Sequence, residues 1–296
     1  MIYFILFVIL FLFLNYNYYR EKQRAEEEAR RQEEVNLDDF FYCPKRLEQM
    51  KRRKIWIHIP TERNSRVWEN FGSRTSKHLN LSVMNLCIKS ILDWCAQSYD
   101  IILYHDQHIG ELLEMEIDMS LLSGDELDHA RYKYNLEILY HYGGIQLPPT
   151  LYLRNTIKKQ DISDRWFVCD RINTYTEMSV FGPTAFISGS PVKDPQLRAY
   201  LDQLQPETFL PNYFKEKDIF VLDGSIFGTK DAEGDPITLD DLMSNQKLIL
   251  KEYHLGVYMP YRELLSRNTY KWFCKMNERQ VLSCRCAFAY YMLDHG

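Results

Sequence analysis

Residues 128–150 read DHARYKYNLEILYHYGGIQLPPT, and the change of character at Gly143 decides how the chain folds. From Glu126 to Tyr142 there is neither Pro nor Gly, and Tyr132, Leu136, Leu139 and Tyr140 recur at the three-to-four-residue spacing of a helix face. Gly143 and Gly144 then supply the positive φ that ends a helix in a left-handed cap. Ile145 to Leu147 predicts a short strand. Asp128 and Arg131 fall one turn apart on a second face, where a carboxylate and a guanidinium reach one ligand, or simply each other in a surface pair worth roughly 0.2 to 0.5 kcal/mol.

Working outward, Lys54 to Ile59 (KIWIHI) alternates Ile55, Ile57 and Ile59 against Trp56 and His58, and Pro60 stops it, which predicts a strand. His58 reads either as a packed core histidine or as a site residue. Asp100 to His105 (DIILYH) suits a strand buried between helices. Asp106 follows at its carboxyl end, the place where open α/β sheets bind ligands; it reads equally as a capping residue of the next segment. His105 and His108 stand beside it, but two histidines and an aspartate do not by themselves define a metal site. Leu81 to Ala96 and Pro195 to Leu204 predict helices, Trp166 to Asp170 and Ala185 to Ile187 strands. This order predicts the α/β class with a doubly wound nucleotide-binding core.

Asp-x-x-Arg on an aromatic-rich helix, followed by Tyr142-Gly143-Gly144-Ile145, resembles the core of glycosyltransferase family 32, the Asp-x-Asp sugar transferases of the GT-A fold. The strand with His58 is similar to the one that opens that family's catalytic domain. The resemblance implies a GT-A-like domain over residues 51–296 that binds a UDP- or GDP-linked sugar, with Asp128, Arg131, Gly143 and Gly144 at the donor sugar and His58 and Asp106 near the nucleotide. Val221 to Lys230, Gly256 to Pro260 and Asn268 to Leu282, with Asn64-Ser65-Arg66 and FGSR (71–74), resemble glycosyltransferase-like proteins of large DNA viruses. Nothing names the acceptor.

The same alignment puts the family's two metal-binding aspartates on Pro148 and Thr150, with Gln146 in place of a Tyr. Proline has no side-chain ligand, and a lone hydroxyl is a poor one for a hard cation that takes carboxylates and carbonyls. No Mn²⁺ site is therefore expected. A dication contributes several kcal/mol to transition-state charge stabilisation, so the chain either replaces it with basic side chains, of which Arg154, Lys158, Lys159, Arg165 and Arg171 lie just downstream, or forgoes the reaction. Two readings stay open: a transferase, or a GT-A scaffold without catalysis that serves as a membrane-attached binding or structural protein.

Met1 to Leu14 is an unbroken apolar run, extended by Tyr16, Tyr18 and Tyr19. Counted through Tyr19 it would span about 28 Å as a helix, against a hydrocarbon core of about 30 Å, which predicts a single-pass membrane anchor over residues 1–19; a cleaved signal peptide is the alternative. Arg20, Lys22 and Arg24 follow the run and nothing basic precedes it, which places the globular domain on the cytosolic side. The sequon Asn80-Leu81-Ser82 argues the other way. Residues 20–50 read as a charged stalk and linker. The 296 residues are 46% hydrophobic and 14% aromatic, enough for a full core. A net charge of −5 gives no electrostatic reason to expect nucleic acid as a partner. Seven cysteines without a C-x-x-C pair predict reduced thiols.

Overall fold

The computed structural model describes residues 37–60, 81–173, 180–204 and 213–293. The expected anchor, the stalk up to residue 36, and the segments Asn64-Ser65-Arg66 and 71–74 lie outside the described residues. Among the described residues no helix is long and apolar enough to cross a membrane. The compact unit that carries the site takes in the described residues from Phe40 onward. Phe41 bridges Leu103, and Tyr42 N–H donates to the Leu103 carbonyl over 2.7 Å.

The architecture is mixed α/β around a mostly parallel six-stranded sheet. Its strands are β1 (Lys54–His58), β2 (Asp100–Tyr104), β3 (Gly144–Leu147), β5 (Phe167–Asn173), β6 (Val180–Ser190) and β7 (Phe220–Leu222). They run in the order β2-β1-β3-β6-β5-β7, with β6 antiparallel to both of its neighbours and the other pairings parallel. A separate antiparallel pair joins β4 (Leu151–Leu153) to β8 (Gly256–Tyr258).

β1 is central. Ile55 pairs with Ile101 on one side and Ile145 on the other. The alternation read from its sequence separates two faces, but neither is wet: Ile55, Trp56 and Ile57 are all fully buried. A parallel strand covered on both faces needs no polar side. Trp56, Ile102 and Tyr104 share one face with Ile109 and Leu112 of α3 (Asp106–Leu113), Leu136 and Leu139 of α4 (Gly124–Tyr142), and Leu197 of α5 (Pro195–Gln203). On the chain between β1 and β2, α2 (Ser82–Cys95) runs against β4, where Ser90 Oγ accepts from Leu153 N–H at 2.9 Å.

The turn from α4 into β3 departs from the expected left-handed cap. Gly143 has φ 64° but an extended ψ, so the chain passes directly into the strand after Gly143 N–H closes on the Leu139 carbonyl at 2.8 Å. Gly144 has φ 111°, and a Cβ there would stand 2.4 Å from the Lys54 carbonyl oxygen. Only glycine lets β3 lie this close to β1. Five of the seven cysteines, Cys87, Cys95, Cys169, Cys274 and Cys286, are buried.

Candidate functional site

From β1 the chain crosses to β2 on one side and later returns to β3 on the other. Strand order reverses about β1, and the crevice beyond the carboxyl ends of β1 and β3 is the switch point at which open sheets bind ligands. A cleft lies there. His58 ends β1, Gln146 and Leu147 end β3, and Pro148, Arg131 and Arg262 complete much of its lining. It holds about 450 Å³ of empty space, counting its open mouth.

Behind the cleft wall sits a buried ion-pair cluster. Asp106, in the first turn of α3, is neither a cap nor exposed. Its Oδ1 accepts from His58 Nε2 at 2.8 Å and from Arg131 Nε at 3.0 Å, and its Oδ2 accepts from Arg131 Nη2 at 2.6 Å. The Arg131 fork meets the carboxylate with two nitrogens, the strong geometry for this pair. Burial alone would push the Asp106 carboxyl up, but hydrogen bonds from His58 and Arg131 hold it well below the usual carboxylate range. Burial lowers His58 despite its bond to Asp106, so the neutral ring donates from Nε2. Asp106 therefore positions His58 and Arg131.

Asp128 stands further out. Its Oδ1 is 3.6 Å from Arg131 Nη1, and its Oδ2 is 2.5 Å from Arg262 Nη1. Arg262 was not read from the sequence as a site residue. It belongs to α8 (Tyr261–Ser266), more than a hundred residues downstream, and only the pairing of β8 with β4 brings it to the cleft. A weak signal existed: Tyr-Arg directly after the Gly256 to Pro260 motif.

Deeper in, the Tyr104 hydroxyl lies 2.8 Å from Asn135 Oδ1 and 3.2 Å from Gln146 Oε1. Burial raises the Tyr104 phenol well above its usual range, so it stays a neutral donor. Asn135 and Gln146 both line the cleft. They give its floor amide groups able to bond polar substituents.

Of the expected site residues, His58, Asp106, Asp128 and Arg131 form one connected group. Gly143 and Gly144 do not join it: they begin β3, whose other end meets the cleft, and their role is the close packing described above. Pro148 lines the cleft. Thr150 is fully buried, and its hydroxyl donates to the Met259 carbonyl at 2.6 Å while Met259 N–H donates to the Thr150 carbonyl at 3.0 Å. The two positions aligned with metal-binding aspartates thus offer a dication no carboxylate. Asp106 is saturated by two donors, and a dication at Asp128 would meet two guanidiniums. The donor set does not fit a metal here, and among the described residues no group of three or more His, Cys, Asp or Glu could hold one. His105 N–H donates to His108 Nδ1 at 3.0 Å, and His105 Nδ1 pairs with the Ile59 carbonyl at 3.0 Å.

Two of the downstream basic residues are engaged elsewhere. Arg154 stacks on the Tyr291 ring, and Lys159 pairs with Asp164 on the surface. Of the described arginines and lysines, Arg131 and Arg262 line the cleft. No protein-family model matches the chain, and neither a curated protein nor a solved structure does.

Proposed function

We propose that the cleft binds a UDP- or GDP-linked sugar in a GT-A-like nucleotide-binding core, and that the chain is a glycosyltransferase or descends from one. The observation that carries this reading is that Arg131, paired with Asp128 over 3.6 Å, lines a cleft at the carboxyl ends of β1 and β3. Asp128 would take sugar hydroxyls, Arg131 and Asp106 would hold the wall rigid, and His58 would lie beneath the nucleotide. Guanidinium groups, rather than a carboxylate-held Mn²⁺, would meet the negative charge of the donor.

A second reading, a binding or structural scaffold without turnover, draws support from the pairing of both carboxylates. Asp106 and Asp128 are each engaged by arginine. Hydrogen bonds from His58 and Arg131 hold the Asp106 carboxyl well below its usual range, which makes it a poor general base.

Calorimetry of the full chain against UDP- and GDP-linked sugars, with and without Mn²⁺, tests the site. Binding that is independent of Mn²⁺ supports it. Binding that requires Mn²⁺ overturns the metal-free account, and no binding removes the donor-site reading. Release of free nucleotide from a bound donor separates transferase from scaffold. Composition of residues 1–19 further supports a membrane anchor with the domain on the cytosolic side. Protease added outside sealed cytosolic-side-out vesicles is then expected to digest the domain, and protection would reverse the orientation.

A further inference from the structure

Two arginines that line the cleft pair with Asp128, and they are held in different ways. The Arg131 side chain is 3% exposed, with Nε and Nη2 bound to Asp106 and only Nη1 left toward Asp128. The Arg262 side chain is 23% exposed, and its partner Asp128 is 30% exposed. Moving Arg131 would strip a buried carboxylate of its counter-charge, which is strongly unfavourable. Shifting Arg262 would break a part-exposed pair, and such pairs are weak.

Charge decides what kind of ligand this arrangement admits. Among the described residues, the guanidiniums of Arg131 and Arg262 are paired with the carboxylates of Asp106 and Asp128, and His58 is neutral. A diphosphate brings at least two negative charges, and Asp128 in its present place would repel it. The guanidinium fork fits phosphate oxygens as well as it fits a carboxylate. Among the described residues, an anion of that class gains a guanidinium by taking it from a carboxylate, and Arg262 is the one of the two that gives way without uncovering a buried charge.

We infer that Arg262 is the diphosphate-binding residue of the cleft, and that Asp128 holds it until a diphosphate takes its place. The exchange turns a carboxylate-guanidinium pair into a phosphate-guanidinium pair. Asp128 stays beside Arg131, now with Oδ2 turned to the hydroxyls of the sugar. Thr150 serves the same end from behind. Its hydroxyl grips the Met259 carbonyl, three residues before Arg262, so the position aligned with a metal ligand instead anchors the segment that carries the cation. This inference rests on the proposal that the cleft takes a sugar nucleotide.

The test uses UDP and inorganic pyrophosphate as probes, titrated into the full chain and into R262Q, R262K and D128N. R262Q is expected to lose tenfold or more in affinity for both probes, with R262K between it and the parent. D128N is expected to bind both about two- to fivefold more tightly, because the competing carboxylate is gone, while the preference for a UDP-sugar over UDP disappears. R262Q binding as well as the parent, or D128N binding no more tightly, overturns the exchange and leaves donor binding standing. A parent chain that binds none of UDP, GDP and their sugars overturns both. Should R262Q fail to fold, the sign of the D128N effect still decides.

Discussion

Asp106 and Asp128 share one arginine and stand one helix apart, yet they do opposite work. Asp106 is nearly buried, takes three hydrogen bonds on its two oxygens, and has a carboxyl that stays ionised far into acid. Asp128 is 30% exposed and holds Arg131 only at 3.6 Å, with its firm contact to Arg262. Residue type does not separate a strut from an exchangeable ligand. Burial does, together with the number of donors that each oxygen already serves.

Asp106→Ala is expected to have the largest effect. It leaves the Arg131 guanidinium buried without its counter-charge and deprives His58 of its acceptor. Removing one partner of a buried pair costs about 3–5 kcal/mol, read as a fall in the urea midpoint at unchanged m-value. A cost below about 1 kcal/mol would mean that Asp106 is no strut.

Thr150→Val comes next and probes the anchor of the cation rather than its partner. The side chain is fully buried, so the isosteric change strands the Met259 carbonyl at an expected cost of about 1–2 kcal/mol. If the hydroxyl also fixes Arg262, pyrophosphate affinity falls in the same variant. Lost stability with unchanged affinity would confine Thr150 to the fold.

Much of the scaffold was legible because it rests on local signals. The interruption of α4 by Gly143 and Gly144, and the apolar runs of β1 and β2, announce themselves over five to twenty residues. Asp128 and Arg131 were readable as a pair because helical spacing puts them on one face. The placement of Asp106 was readable, but its role was not. A residue at a strand end looks the same whether it meets solvent or a guanidinium twenty-five positions away. Arg262 was beyond reach for a further reason: its arrival depends on the β4–β8 pairing and on Thr150, long-range contacts with no periodicity to betray them. The glycines have a packing explanation. A Cβ at Gly144 would meet backbone, and that packing demand accounts for glycine there, at the end of β3 away from the cleft.

The pH dependence of stability sharpens the buried half of the comparison. Burial lowers His58, so as pH falls below about 6.5 the unfolded chain takes up that proton before the folded one does. Stability then declines with falling pH, by at most about 1.4 kcal/mol per pH unit for one proton. Asp106 acts lower still. Its stabilisation is complete above the unfolded carboxyl value of about 3.9 and is lost as pH drops from there toward the depressed folded value. His108 and His129 are lowered by burial too, so His58→Gln should flatten the slope between about pH 6.5 and 5 only in part. An unchanged slope would show that His58 is not held neutral.

Asp128→Asn is expected to change stability least, by less than about 1 kcal/mol. Arg262 is close enough to solvent to be rehydrated, and Arg131 keeps both of its bonds to Asp106, so neither cation is stranded. The comparison predicts a sharp asymmetry between two aspartates on one arginine, about 3–5 kcal/mol against under 1. A cost for Asp128→Asn near that of Asp106→Ala would make the outer pair a second strut, and a strut cannot hand its arginine to a phosphate. A small cost that disappears in 0.5 M salt would mark the pair as solvent-screened, the condition under which a diphosphate could win Arg262 from a carboxylate.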